Sequence, residues 1–400
     1  MIKRKRALGG ALTLAVAFGV AGGVLSGNPA TAATSPQPTA SQSADAADDA
    51  RLRAILHRLT TVDGAPGALV ETRNRRGSSV LTSGVADVNS LAPVQSDSRF
   101  RIGSMTKPFV ATVVLQLVGE DRVDLDAPVE RYLPGVIRGQ GGDGRRITVR
   151  QLLQHTSGLP SYLAHLSPMD ILKDPLAHHD TRDLVNIALA DPPTFKKPGK
   201  GWHYSNTNYL VAGMLIEKVT GHPYGEEIRR RIITPLGLRE TSVPGDSTAI
   251  PGPHPRGYVR PGKDAPLMDL TAINPSIAGA SGEMISSGSD LNRFLDALVR
   301  GRLLRPAQLK EMMTTRPTGD KEDDRAYGLG LESRSLPCGG LYWGHDGDIF
   351  GYQTMGGATV DGRQATAMAN LDPGGPDAQD DDMKAAVQTA LCAGRPSASQ

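Results

Sequence analysis

Ser104-Met105-Thr106-Lys107 is the stretch on which the reading of this chain turns. A hydroxyl and an amine three residues apart share one face of a helix, one turn from each other. Phe109, Val110, Val113, Val114 and Leu117 follow at helical spacing and extend that helix over 104–119. Pro108 is tolerated only in a first turn, which sets Ser104 at the helix start, where free N–H groups and the dipole favour developing negative charge. Partial desolvation of Lys107 would lower its pKa and let it act as a base. Alone, the motif reads more readily as a capping serine and a surface lysine.

Two more motifs follow in order, Tyr204-Ser205-Asn206 and His345-Asp346-Gly347. The first stands just before the apolar run Tyr209, Leu210, Val211, Met214 and Leu215. Residues two apart in a loop can point into one cleft. There the Tyr204 phenol is suited to relay a proton between serine and leaving group, and the Asn206 amide to orient the lysine or hold a substrate carbonyl. The second motif ends an expected strand. Gly347 is expected to let a substrate backbone approach closely, and the strand edge to bind an extended peptide. Backbone N–H groups of Ser104 and Asp348 are the expected oxyanion hole. His345 is expected as a polar wall of the site rather than a metal ligand, because no second ligand lies at metal spacing. Together the motifs spell a serine acyl-transfer site with no call for a metal or cofactor.

The rest of the chain supplies the frame. Lys3 to Arg6 followed by the apolar, Gly/Ala-rich run 7–25 and Ala30-Thr31-Ala32 read as a signal peptide over 1–32. This predicts a secreted protein with no membrane anchor after cleavage. Residues 33–50, rich in Ala, Ser, Thr, Gln, Pro and Asp, read as a disordered linker. The remaining 51–395 can bury a large core. The formal charge of +2 includes the four basic residues of the signal segment, so the mature chain is slightly acidic. No basic stripe interleaved with aromatics points to nucleic acid. The two cysteines, Cys338 and Cys392, suggest one disulfide in an exported protein, with two buried thiols as the alternative.

Residues 68–72 and 79–82 flank a polar, Arg-rich turn and predict a β-hairpin. Helices are expected over 52–60, 149–154, 206–219, 289–300 and 382–392, and strands at 327–331, 341–344, 352–355 and 365–369. The pattern predicts an α+β fold. One antiparallel sheet, built from about 51–120 and 300–395, is flanked by helices, and an all-helical sub-domain is inserted over about 121–299.

With these motifs in this order, the chain resembles the serine β-lactamase and penicillin-binding-protein family, in its class C and DD-peptidase branch. It is most similar to secreted actinomycete D-alanyl-D-alanine carboxypeptidases. The likeness runs through 52–393 and includes Gly64-Ala65-Pro66-Gly67-Ala68, Phe100-Arg101-Ile102-Gly103-Ser104, Ile147-Thr148-Val149-Arg150-Gln151, Tyr204-Ser205-Asn206-Thr207-Asn208, 211–218 and Tyr327-Gly328-Leu329-Gly330-Leu331. Both cysteines fall where those enzymes carry a disulfide. The resemblance implies a β-lactamase/transpeptidase-like fold and an acyl-enzyme on Ser104, with Lys107 and Tyr204 sharing acid and base duty. It also implies D-amino-acid peptides such as peptidoglycan stem peptides as substrates, and β-lactams as acylating inhibitors.

One departure bears on specificity. Such carboxypeptidases read His-Thr-Gly-Thr where this chain has His345-Asp346-Gly347-Asp348, and carry an arginine where it has Glu332. Three potential anions are a poor receptor for a terminal carboxylate. Arg334, two residues on, would share the face of Glu332 on a strand and partly compensate; in the alternative reading Asp348 contributes mainly backbone and its side chain points away. A carboxypeptidase therefore leads. A D-stereospecific aminopeptidase or amidohydrolase, in which acids receive an ammonium, is the alternative, ahead of an esterase or β-lactamase. An inert recognition module is disfavoured by the intact motifs.

Overall fold

The structure, a computed structural model, describes residues 40–75, 77–166, 168–262, 264–319 and 324–395. The signal segment expected over 1–32 lies outside these residues, as do 33–39 of the expected linker and Arg76 of the hairpin turn. Helix α1 spans Ala40–Thr61. It begins inside the 33–50 segment that composition assigned to a linker. Composition there lacks large apolar groups, but the chain is continuous with the amphipathic turns that carry Leu52, Ile55, Leu56 and Leu59, and polar contacts fix it from outside. Asp48 accepts from the backbone N–H of Gly394 at 2.7 Å and from Arg51 at 3.3 Å.

The sheet has eight antiparallel strands: β1 (Gly67–Asn74), β2 (Gly77–Gly84), β3 (Arg316–Pro317), β4 (Ala326–Tyr327), β5 (Glu332–Ser335), β6 (Leu341–Ile349), β7 (Tyr352–Ala358) and β8 (Gln364–Ala369). Their spatial order is β2-β1-β8-β7-β6-β5-β4-β3, so the N-terminal hairpin closes onto the last strand. Ala68 faces Ala369 and Val70 faces Ala367 across that junction. The expected strand 327–331 shrinks to β4. Gly328 and Gly330, the latter at φ +74, turn the chain back towards β5 instead. The C-terminal strand expectations otherwise extend rather than move, β6 running on to Ile349 through the site motif.

Side-chain alternation sorts the strands into two layers. On one face Ala68, Val70, Ala365, Ala367 and Ala369 pack against α1 and the C-terminal helix Asp377–Cys392. The small alanines let both helices lie close to the sheet. On the other face Leu69 and Met368 meet the helices Thr106–Gly119 (α2) and Gly288–Val299 (α3), whose Phe109 and Phe294 rings stack with centroids 3.6 Å apart. Helix α3 also binds the sheet through Asn292, which donates to the Glu71 carbonyl at 3.1 Å and accepts from Thr366 at 2.9 Å. It belongs to the sheet layer, so the inserted part ends earlier than residue 299.

The inserted part is not all-helical as expected: among its helices and long loops lie two short antiparallel ribbons, Arg138–Gly139 with Gly142–Asp143 and Tyr258–Val259 with Met268–Asp269, and a further two-stranded pair, Arg99–Arg101 with Ile285–Ser287, joins it back to the sheet region. Arg101, fully buried, ties loops together by donating to the carbonyls of Thr248 (2.8 Å), Thr271 (3.1 Å) and Ile273 (3.2 Å). The expected bridge between Cys338 and Cys392 is formed, linking the β5–β6 turn to the last helix. Among the described residues no helix is long and apolar enough to cross a membrane.

Candidate active site

Ser104 lies in a single 3-10 turn, Gly103–Met105, that leads into α2. The turn, rather than the α-helix itself, presents the hydroxyl, but the one-turn relation to Lys107 survives. Two glycines make room for it. Gly103 has φ +48, and a Cβ there would sit 2.6 Å from the Asp348 carbonyl oxygen. A Cβ on Gly347 would sit 2.1 Å from the Ile102 carbonyl oxygen. Gly347 therefore serves the packing of β6 against the serine turn, not the approach of a substrate backbone as the sequence suggested. The Asp348 backbone thus lies against the residue that precedes Ser104.

Lys107 is fully buried. Its Nζ donates to Ser104 Oγ at 2.8 Å, to Asn206 Oδ1 at 2.7 Å and to the Ser281 carbonyl at 2.8 Å. Asn206 stands at the N-cap of the helix Thr207–Thr220 yet makes no capping bond with its side chain; its amide oxygen is directed at the lysine instead. Desolvation lowers the Lys107 pKa to about 7, against the opposing pull of Asp346, Asp348 and Glu332. The amine is thus poised between charged and neutral forms near neutral pH.

Tyr204 places its ring 4.8 Å from Lys107 Nζ and hydrogen-bonds Ser104. Burial, with Asp346 and Glu332 nearby, raises its pKa well above the usual range, so it stays a phenol at neutral pH. Its ring stacks on His155 at 4.3 Å between centroids. His155 was not singled out by sequence reading, and neither was its partner Tyr327. The Ser205 N–H donates to His155 Nδ1 at 3.2 Å, so Nε2 carries the proton and faces Tyr327 Oη at 3.2 Å. Tyr327 Oη then donates to His345 Nε2 at 2.9 Å, and His345 Nδ1 donates to the Asp346 carbonyl at 2.6 Å. Four donors in sequence give both imidazoles a defined tautomer. Burial and the charge of Lys107 hold His155 well below the usual histidine range, that is, neutral.

His345 is therefore not a wall of the cleft, as expected, but a buried link behind Tyr327 and Tyr204. Glu332 is buried with it. Arg334 reaches Glu332 at 3.2 Å and Asp346 at 3.3 Å, and Arg325 reaches the same two carboxylates at 3.5 and 3.6 Å. The sharing of a face by Glu332 and Arg334 appears as an ion pair. Burial and Asp346 raise the Glu332 pKa. Burial works against ionisation of Asp346 too, but the hydrogen bond from His345, with the two guanidiniums, holds its carboxyl below the usual range. Ligand atoms of Glu332, His345 and Asp346 lie within 4.8 Å of one another, a proximity that sequence spacing missed. The carboxylates are already engaged by two guanidiniums, chemistry that suits an ion-pair network rather than a metal centre.

Beside Ser104 and Asn206 opens a cavity of about 300 Å³. Leu163, Ile171, Ile277 and Phe350 give it an apolar wall, and Asp348 and Asp372 bring two carboxylates to it. Asp348 is an exposed residue on the border of this cavity. Glu332, His345 and Gly347 do not line it. Such a site, with a hydroxyl, a base of pKa about 7 and a neutral phenol, is equipped for acyl transfer through a covalent intermediate.

The fold and these motifs define a serine hydrolase of the β-lactamase and penicillin-binding-protein type. Residues 52–390 match the Beta-lactamase family, and the chain belongs to it. Among solved structures, a D-stereospecific amidohydrolase from Streptomyces sp. is 44% identical, with a TM-score of 0.77 over 83% of this chain and 96% of that one. The D-amino acid amidase from Ochrobactrum anthropi SV3, complexed with L-phenylalanine amide, is 30% identical, with a TM-score of 0.76 over 87% of this chain and 98% of that one. Esterase EstB of Burkholderia gladioli is 31% identical over 62% of this chain, which spans 69% of that protein. Penicillin-binding protein 4 of Amycolatopsis lactamdurans is 28% identical over 62% of this chain, which spans only 63% of that protein's length.

Proposed function

We propose that the protein is a secreted D-stereospecific amidohydrolase, cleaving amides and short peptides of apolar D-amino acids that carry a free amino group. Ser104 Oγ attacks the amide carbonyl carbon, and neutral Lys107 takes the hydroxyl proton. Backbone N–H groups of Ser104 and Asp348 receive the oxyanion. As the C–N bond breaks, the Tyr204 phenol gives its proton to the leaving nitrogen and regains one from Lys107. Water, deprotonated by the same pair, then attacks the ester and frees the acid and Ser104. Asn206 orients Lys107 throughout.

The observation that carries this reading is the make-up of the cavity beside Ser104: an apolar wall and two carboxylates. A carboxypeptidase needs a cation for the terminal carboxylate of its substrate, and the guanidiniums nearest the motif, Arg325 and Arg334, are paired with Glu332 and Asp346. The likeness to two enzymes named for D-amino-acid substrates points the same way. A disulfide accords with export into an oxidising compartment. β-Lactams are expected to acylate Ser104.

The test compares D-phenylalaninamide, its L-enantiomer and an N-acylated peptide ending in D-Ala-D-Ala. Ammonia release from the D-amide, with little from the L-amide, is the expected result. Release of D-Ala from the acylated peptide alone would establish the carboxypeptidase that the sequence motifs led with.

A further inference from the structure

Two of the four acids around the site are already spent. Glu332 and Asp346 share Arg325 and Arg334, and His345 stands between them. The other two, Asp348 and Asp372, face the cavity that holds Ser104. Neither takes part in an ion pair among the described residues; the ion pairs of the site all belong to the first two acids.

Asp372 carries no motif and follows the last strand of the sheet. Its backbone is held at both ends, its N–H donating to the Tyr258 carbonyl at 3.1 Å and its carbonyl accepting from Gly351 at 2.6 Å. The segment before it is anchored as well: Asn370 Nδ2 donates to the Arg256 carbonyl at 3.0 Å, and Gln379 Nε2 to the Leu371 carbonyl at 3.0 Å. Asp348 comes from the end of β6, on the strand that closes against the serine turn. Two independent elements thus bring acidic residues to one cavity, whose lining also includes the apolar Leu163, Ile171, Ile277 and Phe350.

We infer that Asp372 and Asp348 together form the receptor for the α-ammonium group of the substrate, and that Asp372 is a specificity-determining residue of this site. The α-nitrogen of an aminoacyl group is attached to the carbon next to the reacting carbonyl. A cation receptor for it must therefore stand in the same cavity as the nucleophile, which is where this pair stands. An ammonium between them would satisfy two carboxylates at once, while the side chain lies on the apolar wall.

The electrostatics of the site agree with this. Burial, then Asp346 and Asp380, raise the Asp348 pKa, against a hydrogen bond from Gln353. Burial, then Asp348 and Asp380, raise that of Asp372, with no cation to oppose them. Asp380 itself is hydrogen-bonded by Gln353. The pair is short of positive charge, and an ammonium supplies it.

The inference rests on the amidohydrolase reading but is tested apart from it, with esters, which any acyl-enzyme on Ser104 should turn over. D-Phenylalanine methyl ester and methyl 3-phenylpropanoate differ only in the ammonium group. The wild type is expected to prefer the amino ester in kcat/KM. In Asp372→Asn that preference should fall by about tenfold or more, mainly through KM of the amino ester, and Asp348→Asn should do the same. Asp361→Asn, an exposed acid outside the site, should keep the preference. Equal turnover of both esters by the wild type, or a preference undiminished in both variants, would overturn the inference. Should Asp372→Asn lose all turnover through misfolding, Asp348→Asn and the wild-type preference still decide. Failure to cleave D-phenylalaninamide would instead count against the amidohydrolase reading alone.

Discussion

Lys107 Nζ stands 2.8 Å from Ser104 Oγ, with its side chain fully buried. Burial of this amine lowers its pKa to about 7, and this is what turns an ordinary helical i, i+3 pair into a nucleophile and its base. If catalysis needs the neutral amine, kcat/KM for a substrate without a titrating group should rise with pH through about 7 and level off above it. The lysine's negative neighbours, Asp346, Asp348 and Glu332, push this limb upward in pH, so Glu332→Gln should move it down. A pH profile with methyl 3-phenylpropanoate checks this; a flat response between about pH 5.5 and 8.5 would remove Lys107 as the base.

Gly347 should tolerate no side chain. A Cβ at 2.1 Å from the Ile102 carbonyl oxygen and 2.6 Å from Thr354 Oγ1 cannot be absorbed by a rotamer change. Gly347→Ala is expected to cost about 2 kcal/mol or more by urea denaturation and to lower kcat as the serine turn is displaced. Wild-type stability and rate in this variant would mean that β6 is not packed on the turn as described.

Glu71 lies under α3 with burial, then Glu240 and Asp290, raising its pKa to about 7. A folded-state value above the ordinary one of 4.5 means that the folded protein holds this proton longer than the unfolded chain. Its stability contribution is full below about pH 4.5 and declines as pH rises towards 7. Glu71→Gln, which mimics the protonated form, should stabilise by roughly 1–3 kcal/mol at pH 8 and make little difference at pH 4.5. Thermal melts at the two pH values check the sign; destabilisation at pH 8 would refute it.

The bridge between Cys338 and Cys392 closes a span of 54 residues. In the chain-entropy picture, Cys392→Ser should cost roughly 4 kcal/mol. Activity at 25 °C should persist, since neither cysteine lines the cavity. A thiol count on the unreduced protein should find no free thiol; one reactive equivalent per cysteine would contradict the bridge.

Much of this was legible in the chain because local rules carried it. Period-2 and period-3.6 patterns placed the hairpin, α2 and most C-terminal strands, and motif order brought Ser104, Lys107, Tyr204 and Asn206 to one point. What stayed hidden depends on tertiary approach. His155 and Asp372 have no motif of their own, Tyr327 reads only as the start of a strand, and their roles come from rings and loops meeting across the fold. A left-handed His155, at φ +59, is a backbone signal that no residue pattern announces. His345 is expected at the wall, and Glu332 among the acids that meet the substrate, because sequence gives a strand's residues but not which face meets the cavity. Gly347 was assigned to substrate approach because a glycine in a strand marks a close contact without naming what makes it.

The most direct test of the central claim is to quench the protein during turnover of D-phenylalanine methyl ester and map the adduct by mass spectrometry. The account predicts a phenylalanyl group on the peptide that contains Ser104, and neither adduct nor turnover in a folded Ser104→Ala protein. Turnover surviving in that variant, or an adduct on another residue, would contradict it.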